Sequence, residues 1–257
     1  MIHHGLARVI DTEEIYPGTF VTWYEGNEFC QSAYPGQFVM VQPRDGLDPF
    51  LPRAFSFYRF RGEGKSRAFA LLYTVVGETT TRMAAQQHND QLLMTGPLGN
   101  GFQVRPGTGN LLLAGGGVGM APLVALADQE LARGQTIVVC CGARTAQQAF
   151  PAALLPPEVE YAVATEDGSL GKEGLVTDLV AQYLPWADQT LACGPVPMFR
   201  AMADIVRREG MRRSVQILME TEMACGTGIC YGCAVFTRKG VRLCCKDGPR
   251  FELLDVF

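Results

Sequence analysis

The chain has 257 residues, a length that accommodates two domains and a small appended segment. Apolar residues make up 47% and charged residues 19%, as in a globular protein with a hydrophobic core, and the net charge of −4 leaves no basic footprint for nucleic acid. The nine cysteines are odd in number and partly clustered, which favours a reducing compartment and a metal site over a secreted disulfide scaffold.

Residues 1–102 carry short β-type runs separated by turn signals, and we interpret them as a β-barrel domain. The runs lie at 19–24, 37–41, 54–58 and 68–76, and the turn signals at 34–36, 44–46 and 61–64. One helical stretch, at about 81–88, interrupts the strands. Many short strands with few helices are typical of a barrel or a sandwich.

Residues 103–219 alternate buried strands with helices, which predicts a doubly wound parallel α/β sheet. Strands are expected at 111–114, 136–141, 160–164, 190–193 and 214–219, and helices at 122–133, near 147, at 175–183 and at 197–209. The remaining residues, 220–257, form a third segment that contains most of the clustered cysteines.

A glycine-rich turn, residues 115–119, follows the first strand of this sheet and precedes its first helix. Such a turn lets a pyrophosphate approach the backbone and the helix N-terminus. The standard Gly-x-Gly-x-x-Gly fingerprint fails here at Met120. Cys193-Gly194-Pro195 follows a later strand at the same edge of the sheet, where open α/β sheets bind ligands, so the two segments together predict a nucleotide site.

Cys225, Cys230 and Cys233 show the Cys-x4-Cys-x2-Cys spacing of a plant-type 2Fe-2S centre. A four-cysteine zinc site usually contains two Cys-x2-Cys knuckles, whereas this segment contains one. The fourth ligand is expected after a short hairpin at 234–243, and both Cys244 and Cys245 follow it. Spacing alone does not choose between these two cysteines.

The order of barrel, α/β domain and iron–sulfur segment resembles the ferredoxin-reductase superfamily, and within it the electron-transfer subunits of NAD-dependent (type B) dihydroorotate dehydrogenases. The resemblance covers essentially the whole chain. It implies FAD in the barrel, NAD on the sheet and a 2Fe-2S cluster at the end. The family's Gly-Gly-x-Gly-x-Ala-Pro turn matches residues 116–122, which explains the failed fingerprint.

The resemblance also implies the site residues. The family's Arg-Pro-x-Ser flavin motif corresponds to residues 53–56, with alanine replacing proline, and its Gly-x-Gly-Thr turn corresponds to residues 77–80, with the second glycine replaced. The expected flavin set is Arg53, Ala54, Phe55, Ser56, Leu72, Tyr73, Thr74, Gly77, Thr79 and Thr80. The nicotinamide set is Gly116, Gly117, Gly119, Cys193, Gly194 and Pro195. The segment Asp247-Gly248-Pro249 places the family's last cluster ligand at Cys245, completing the set of Cys225, Cys230, Cys233 and Cys245.

The resemblance implies an electron relay in pyrimidine biosynthesis that joins NAD, through FAD and the cluster, to a separate FMN-containing catalytic subunit in a heterotetramer. The chain shows no acid–base constellation of its own, since its histidines are His3, His4 and His88, and no catalytic residue is assigned. The alternatives are a diaphorase subunit for another redox partner, such as a sulfite reductase, a hydrogenase or a ferredoxin-linked transhydrogenase, and a non-enzymatic redox sensor. Without a signal peptide or membrane-spanning run, a cytoplasmic location is expected, and the choice of NAD over NADP rests on the family alone.

Overall fold

The computed structural model describes residues 1–26, 28–42, 49–62, 67–210 and 213–257. The predicted turn at 44–46 and the end of the predicted turn at 61–64 lie outside the described residues. No helix in these ranges is long and apolar enough to cross a membrane.

Six antiparallel strands close into a barrel in the order β1-β2-β5-β4-β3-β6. Their bounds are β1 (His3–Tyr16), β2 (Thr19–Glu25), β3 (Phe38–Gln42), β4 (Arg53–Arg61), β5 (Ala68–Thr74) and β6 (Gln91–Leu98). The 14-residue β1 pairs with β2 along one part and with β6 along another, and this shared strand closes the barrel. Large side chains such as Tyr24, Phe57 and Phe69 fill its interior.

Helix α1 (Glu78–Ala84) begins three residues before the predicted helical stretch at 81–88. The Thr80 hydroxyl accepts hydrogen bonds from the backbone N–H groups of Val76, at 3.0 Å, and Gly77, at 3.1 Å. These bonds satisfy donors that would otherwise be free at a helix start, so the helix begins directly after Gly77.

The second sheet has seven strands in the order β10-β9-β8-β7-β11-β12-β15. Its strands are β7 (Asn110–Gly115), β8 (Thr136–Ala143), β9 (Glu160–Thr165), β10 (Lys172–Glu173), β11 (Gln189–Cys193), β12 (Val215–Leu218) and β15 (Arg250–Glu252). All pairings are parallel except that of β15 with β12. The antiparallel edge strand therefore comes from the cysteine-rich segment, which is joined to the sheet by backbone hydrogen bonds.

Helix α2 (Met120–Leu131) packs on one face of this sheet, and α3 (Val176–Tyr183) and α4 (Val196–Arg208) pack on the other. This two-sided covering confirms the doubly wound class. The helix predicted near residue 147 was wrong: two single 3-10 turns, Ala146–Gln148 and Ala152–Leu154, stand there instead. Pro151 precedes the second turn and cannot donate a helical hydrogen bond, so no continuous helix forms.

The predicted hairpin is present as β13 (Ala234–Thr237) and β14 (Gly240–Leu243), and a final short helix α5 (Leu253–Val256) packs beside β13. Cys193 ends β11 and Met219 directly follows β12, so both lie at the carboxyl edge of the parallel strands. The division at residues 102 and 219 remains a prediction.

Candidate functional site

A cavity of about 470 Å³ lies between the barrel and the carboxyl edge of the sheet. Its walls include the ends of β4 and β5, the start of α1, and the residues that follow β11 and β12. All ten residues of the expected flavin set line this cavity, from Arg53–Ser56 through Leu72–Thr74 to Gly77, Thr79 and Thr80. The fold therefore brings together three segments that are separated along the sequence.

The two threonines at the start of α1 differ in what they offer to a ligand. The Thr80 hydroxyl already donates to the Gly77 carbonyl at 2.9 Å and accepts two backbone N–H groups, so it serves the helix cap. Thr79 is 5% exposed, and among the described residues its hydroxyl has no hydrogen-bond partner. A buried hydroxyl without a partner is costly unless a ligand satisfies it, which fits a phosphate oxygen of a flavin dinucleotide.

Arg53 supplies a positive charge to the lining of this cavity. One nitrogen of its guanidinium donates to the Leu51 carbonyl at 2.8 Å and to the Pro52 carbonyl at 3.4 Å, and the residue is exposed. Its remaining donors are suited to a pyrophosphate. The Tyr73 hydroxyl is paired with Thr22 at 2.8 Å, and burial raises the pKa of Tyr73 to about 12, so this ring is a neutral wall.

Sequence reasoning missed one wall of the cavity, residues 219–223, which span the end of the last predicted strand and the start of the third segment. The available signal was that residues 219–223 directly follow a predicted strand, at the carboxyl edge of the sheet where ligands bind. Glu220 faces the cavity, and the Cys193 thiol points at its carboxylate with an S–O distance of 3.8 Å. Desolvation raises the pKa of Cys193 well above its usual value, and the Glu220 carboxylate raises it further, so the sulfur is a thiol.

A second cavity, of about 450 Å³, lies on the other side of the glycine-rich turn. Gly116, Arg144, Glu166 and Pro195 are among its lining residues. Gly116 and Pro195 are thus the members of the expected nicotinamide set that line it, whereas Gly117, Gly119 and Gly194 line neither this cavity nor the first. The Cys193–Pro195 segment touches both cavities, with Cys193 in the first and Pro195 in the second. A ligand bound along this segment extends from one cavity toward the other.

Two glycines of this turn have different roles: one packs closely on a strand and the other leaves room for a ligand. A Cβ at Gly119 would lie 2.5 Å from the Cys193 carbonyl oxygen, so this position joins the turn to β11. Gly117 has φ +53° and open space around its Cβ position. The turn thus leaves its outer side free for a ligand while its inner side packs on the strand.

The four expected cluster ligands stand as two pairs. The Cys233 and Cys245 sulfurs are 3.3 Å apart, and Cys225 interacts with Cys230. In the described ranges no three His, Cys, Asp or Glu side chains converge on one ion position. Two pairs fit a centre in which two irons share four cysteines, rather than one tetrahedral zinc.

The environment of Cys225 favours a thiolate. Burial alone would raise the pKa of Cys225, but backbone N–H groups of Cys230, Thr227 and Ile229 together lower it to about 6. Backbone donors directed at a sulfur are the arrangement that an iron-bound thiolate requires. The pKa of Cys245 is raised to about 12, by burial first and then by Cys233.

Cys244 and Cys245 point to different places. The Cys244 thiol donates to the Met219 carbonyl at 3.0 Å and is fully buried, and burial raises its pKa to about 12. Cys245 faces Cys233 instead. This orientation supports Cys245 as the ligand over its neighbour.

Two glycines of the cluster loop adopt a left-handed backbone conformation. Gly226 and Gly228 have φ +69° and +83°, which L side chains rarely adopt. Gly232 does not adopt positive φ; Tyr231 does, at +62°. The left-handed turn before Cys233 is therefore made by a tyrosine, and a Cβ at Gly232 would meet only the Cys230 sulfur, at 3.6 Å.

Comparisons with known proteins agree with this arrangement. The family model described as the iron-sulfur cluster binding domain of dihydroorotate dehydrogenase B matches residues 220–257. A dihydroorotate dehydrogenase B (NAD(+)) electron transfer subunit from Caldanaerobacter subterraneus subsp. tengcongensis is 35% identical, with 97% of each chain covered. One from Geobacillus kaustophilus is 35% identical over 100% of this chain and 99% of the relative.

Solved structures show the same fold. The structure of an NADH-dependent reduced ferredoxin-NADP oxidoreductase, studied for flavin-based electron bifurcation, is 27% identical. It superposes with a TM-score of 0.84 over 98% of this chain and 90% of that one. The ferredoxin reductase of carbazole 1,9a-dioxygenase, at 21% identity, has a TM-score of 0.70 over 82% of this chain and 67% of that one.

Proposed function

Because this chain belongs to the family of dihydroorotate dehydrogenase B (NAD(+)) electron transfer subunits, we propose that it relays electrons between NAD and the FMN-containing catalytic subunit of that enzyme. It is an oxidoreductase component with FAD, a 2Fe-2S cluster and NAD as cofactors, and it acts in pyrimidine biosynthesis. The dihydroorotate chemistry belongs to the partner, with which we expect a heterotetramer.

One observation carries this proposal: the three sites are contiguous. The Cys193–Pro195 segment joins the nucleotide cavity to the flavin cavity. Residues 219–223 form a wall of the flavin cavity and lead within two positions to Cys225. A chain that places these sites in this order is suited to a relay, because electron transfer requires neighbouring centres.

The protein's part in this relay is binding and orientation. When bound, FAD converts between two-electron hydride transfer and the single-electron steps that a 2Fe-2S cluster performs. Arg53 and Thr79 would hold the flavin phosphates, and the turn at Gly116–Gly119 with the start of α2 would hold the nucleotide pyrophosphate. Cys193 and Glu220 contact each other in the wall of the first cavity.

Cys225, Cys230, Cys233 and Cys245 hold the cluster at the far end of this path. Cys230 is the exposed member of the set, so the outside redox centre is approached from its side. We assign the relay to the cytoplasm, because nine cysteines without a disulfide suit a reducing compartment. NAD is taken as the nucleotide from the family.

The test is affinity isolation of the chain from its native host, followed by an absorbance spectrum and an assay of NAD+ reduction by dihydroorotate. We expect an FMN-containing dihydroorotate dehydrogenase to co-purify and the complex to reduce NAD+. The rival function is a diaphorase for a ferredoxin-linked partner, which the likeness to the ferredoxin-NADP oxidoreductase favours. Co-purification of such a partner, with no dihydroorotate activity, would establish the rival.

A further inference from the structure

One buried cysteine beside the cluster segment is not among the expected cluster ligands. Cys244 is fully buried, and its thiol donates to the Met219 carbonyl at 3.0 Å. Met219 lines the cavity expected to hold the flavin. The next residue along the chain is Cys245, an expected ligand of the cluster. One side chain therefore connects the wall of the flavin cavity to a ligand of the cluster.

Backbone hydrogen bonds fix both ends of this connection. At the cluster end, the Cys244 N–H donates to the carbonyl of Cys233, another expected ligand, at 2.9 Å. The Cys245 N–H donates to the Cys233 sulfur at 3.5 Å. At the cavity end, the Met219 N–H donates to the Pro249 carbonyl at 2.8 Å. The thiol is thus held in place between the two sites.

A second residue of the cavity wall approaches the same thiol. Thr221 lines the cavity, and its buried hydroxyl forms no hydrogen bond with the described residues. Burial raises the pKa of Cys244 to about 12, and Thr221 opposes this rise as a hydrogen-bonding neighbour. The hydroxyl and the thiol are close without a well-formed bond between them, because the S–H group is directed at the Met219 carbonyl. Two residues that line the flavin cavity therefore meet at the Cys244 sulfur.

Met219 also lies beside the segment that joins the two cavities. Leu218 pairs with Cys193 in the register of β11 and β12, and Met219 follows Leu218 directly. The reactive ring of the flavin must lie near the Cys193–Pro195 segment to meet the nicotinamide, because this segment reaches both cavities. A route along the chain from Met223 to Cys225 starts four positions beyond Met219. The route through Cys244 starts next to the expected point of hydride transfer.

We propose that Cys244 is a positioning residue of the relay, whose thiol couples the flavin cavity to the cluster through the Met219 carbonyl on one side and Cys245 on the other. The proposal rests on the function proposed above, in its step from flavin to cluster. One electron passes from the reduced flavin to the oxidised cluster, and no bond of the thiol forms or breaks. Electrons tunnel faster along covalent and hydrogen bonds than across a gap, so loss of this hydrogen bond should slow the step.

The test uses the purified holo-subunit, in which a light flash with a sacrificial donor reduces the flavin and absorbance then follows reduction of the cluster. In Cys244→Ala, electron transfer to the cluster should slow several-fold. Iron content, FAD content and the reduction potential of the cluster, measured by paramagnetic resonance, should stay as in the wild type. Cys244→Ser should restore the rate, because its hydroxyl still donates to the Met219 carbonyl.

Cys140→Ala is the matched control. Cys140 is equally buried and belongs to the same apolar cluster as Cys244, but it lies on β8 and does not line the flavin cavity. This variant removes the same sulfur from the core and should keep the wild-type rate. Slowing in Cys140→Ala equal to that in Cys244→Ala would attribute the effect to packing and overturn the inference.

An unchanged rate in Cys244→Ala overturns the inference and leaves the proposed function standing. Equal slowing in Cys244→Ala and Cys244→Ser, or a shifted cluster potential in Cys244→Ala, overturns it as well, because the hydrogen bond is then not the cause. If Cys244→Ala loses the cluster, Cys244→Val replaces it, since valine fills more of the space and also lacks a donor. Loss of the cluster from both variants makes Cys244 a packing residue and overturns the inference. A wild type whose cluster takes no electron from the flavin overturns the proposed function and the inference together.

Discussion

At the scale of single residues, the direction of a side chain decides between neighbours of the same chemistry. Cys244 and Cys245 are adjacent and both buried, yet one thiol donates to the Met219 carbonyl and the other faces Cys233. Thr79 and Thr80 are also adjacent, yet only the Thr79 hydroxyl is left without a partner among the described residues. In each pair, the direction of the side chain leaves one residue unengaged and commits the other to a backbone contact.

The first prediction concerns the fourth cluster ligand. Cys245→Ser should abolish the iron–sulfur absorbance, because serine does not replace the thiolate beside Cys233. Cys244→Ser should largely keep it, since a hydroxyl still donates to the Met219 carbonyl. Visible absorbance and iron content of the purified variants measure the effect. The reverse result would exchange the roles of the two cysteines.

The second prediction concerns flavin binding. Thr79→Val preserves the shape of the side chain and removes the unpartnered hydroxyl, so FAD affinity should fall roughly tenfold, as for the loss of a hydrogen bond to a charged group. Titration of the apoprotein with FAD measures it. Thr81→Val is the matched control, because the exposed Thr81 hydroxyl donates to the Gly77 carbonyl within the same helix. Equal affinities of the two variants would remove Thr79 from the flavin site.

At the scale of elements, the turn between β7 and α2 shows how one segment serves both packing and binding. Gly119 packs on the Cys193 carbonyl, and Gly117 faces open space. Since both cavities border this turn, a change in its backbone reaches the flavin side and the nucleotide side together. The turn is therefore the element that aligns the two ligands.

The third prediction tests this alignment. In Gly119→Ala the new Cβ would lie 2.5 Å from the Cys193 oxygen, so the turn must shift away from β11. The KM for NADH in dye reduction should rise several-fold, and the melting temperature should fall by a few degrees. Gly109→Ala is the matched control, because its nearest contact is the Asp188 side chain at 3.6 Å. A normal KM in Gly119→Ala would show that the turn does not position the nucleotide.

At the scale of the whole molecule, a small number of polar contacts tie the barrel to the sheet. Arg59 of β4 donates to the Asp128 carboxylate of α2 at 3.0 Å and to the Leu154 carbonyl at 2.7 Å. Desolvation raises the pKa of Asp128, and Arg59 opposes that rise. These contacts act together with an apolar cluster in which Tyr58 and Leu72 of the barrel pack with α2 and the sheet.

The fourth prediction follows from this contact. Arg59→Leu removes the opposing charge, so the pKa of Asp128 rises further in the folded state. A carboxyl whose pKa is raised in the folded state lowers the free energy of unfolding once it ionises. The stability lost in Arg59→Leu should therefore be small at pH 5 and larger at pH 8. We expect a loss of about 1 kcal/mol in the free energy of unfolding at pH 8, measured by urea unfolding. The loss is no larger because the Arg59–Asp128 pair is partly exposed. Arg8→Leu, which breaks the exposed Arg8–Glu25 pair, should change little at either pH. Equal changes of stability in Arg59→Leu and Arg8→Leu would contradict the role assigned to the Arg59–Asp128 contact.

The sequence by itself determined the barrel, the doubly wound sheet and the cysteine spacing, because these depend on local patterns. Strand runs, the alternation of strand and helix, and the Cys-x4-Cys-x2-Cys loop are all visible in short windows. The ten residues expected to hold a flavin were also available from the chain, through its resemblance to a family. All ten line one cavity.

Features that depend on contacts between distant segments were decided only by the tertiary structure. Residues 219–223 became part of the flavin wall, and Glu220 met Cys193, because β11 and β12 are parallel neighbours whose ends meet. The direction of the Cys244 thiol likewise required the contact between the end of the hairpin and Met219, which follows β12. Such features have no local signature, since a side chain's partner is set by the register of strands far apart in the sequence.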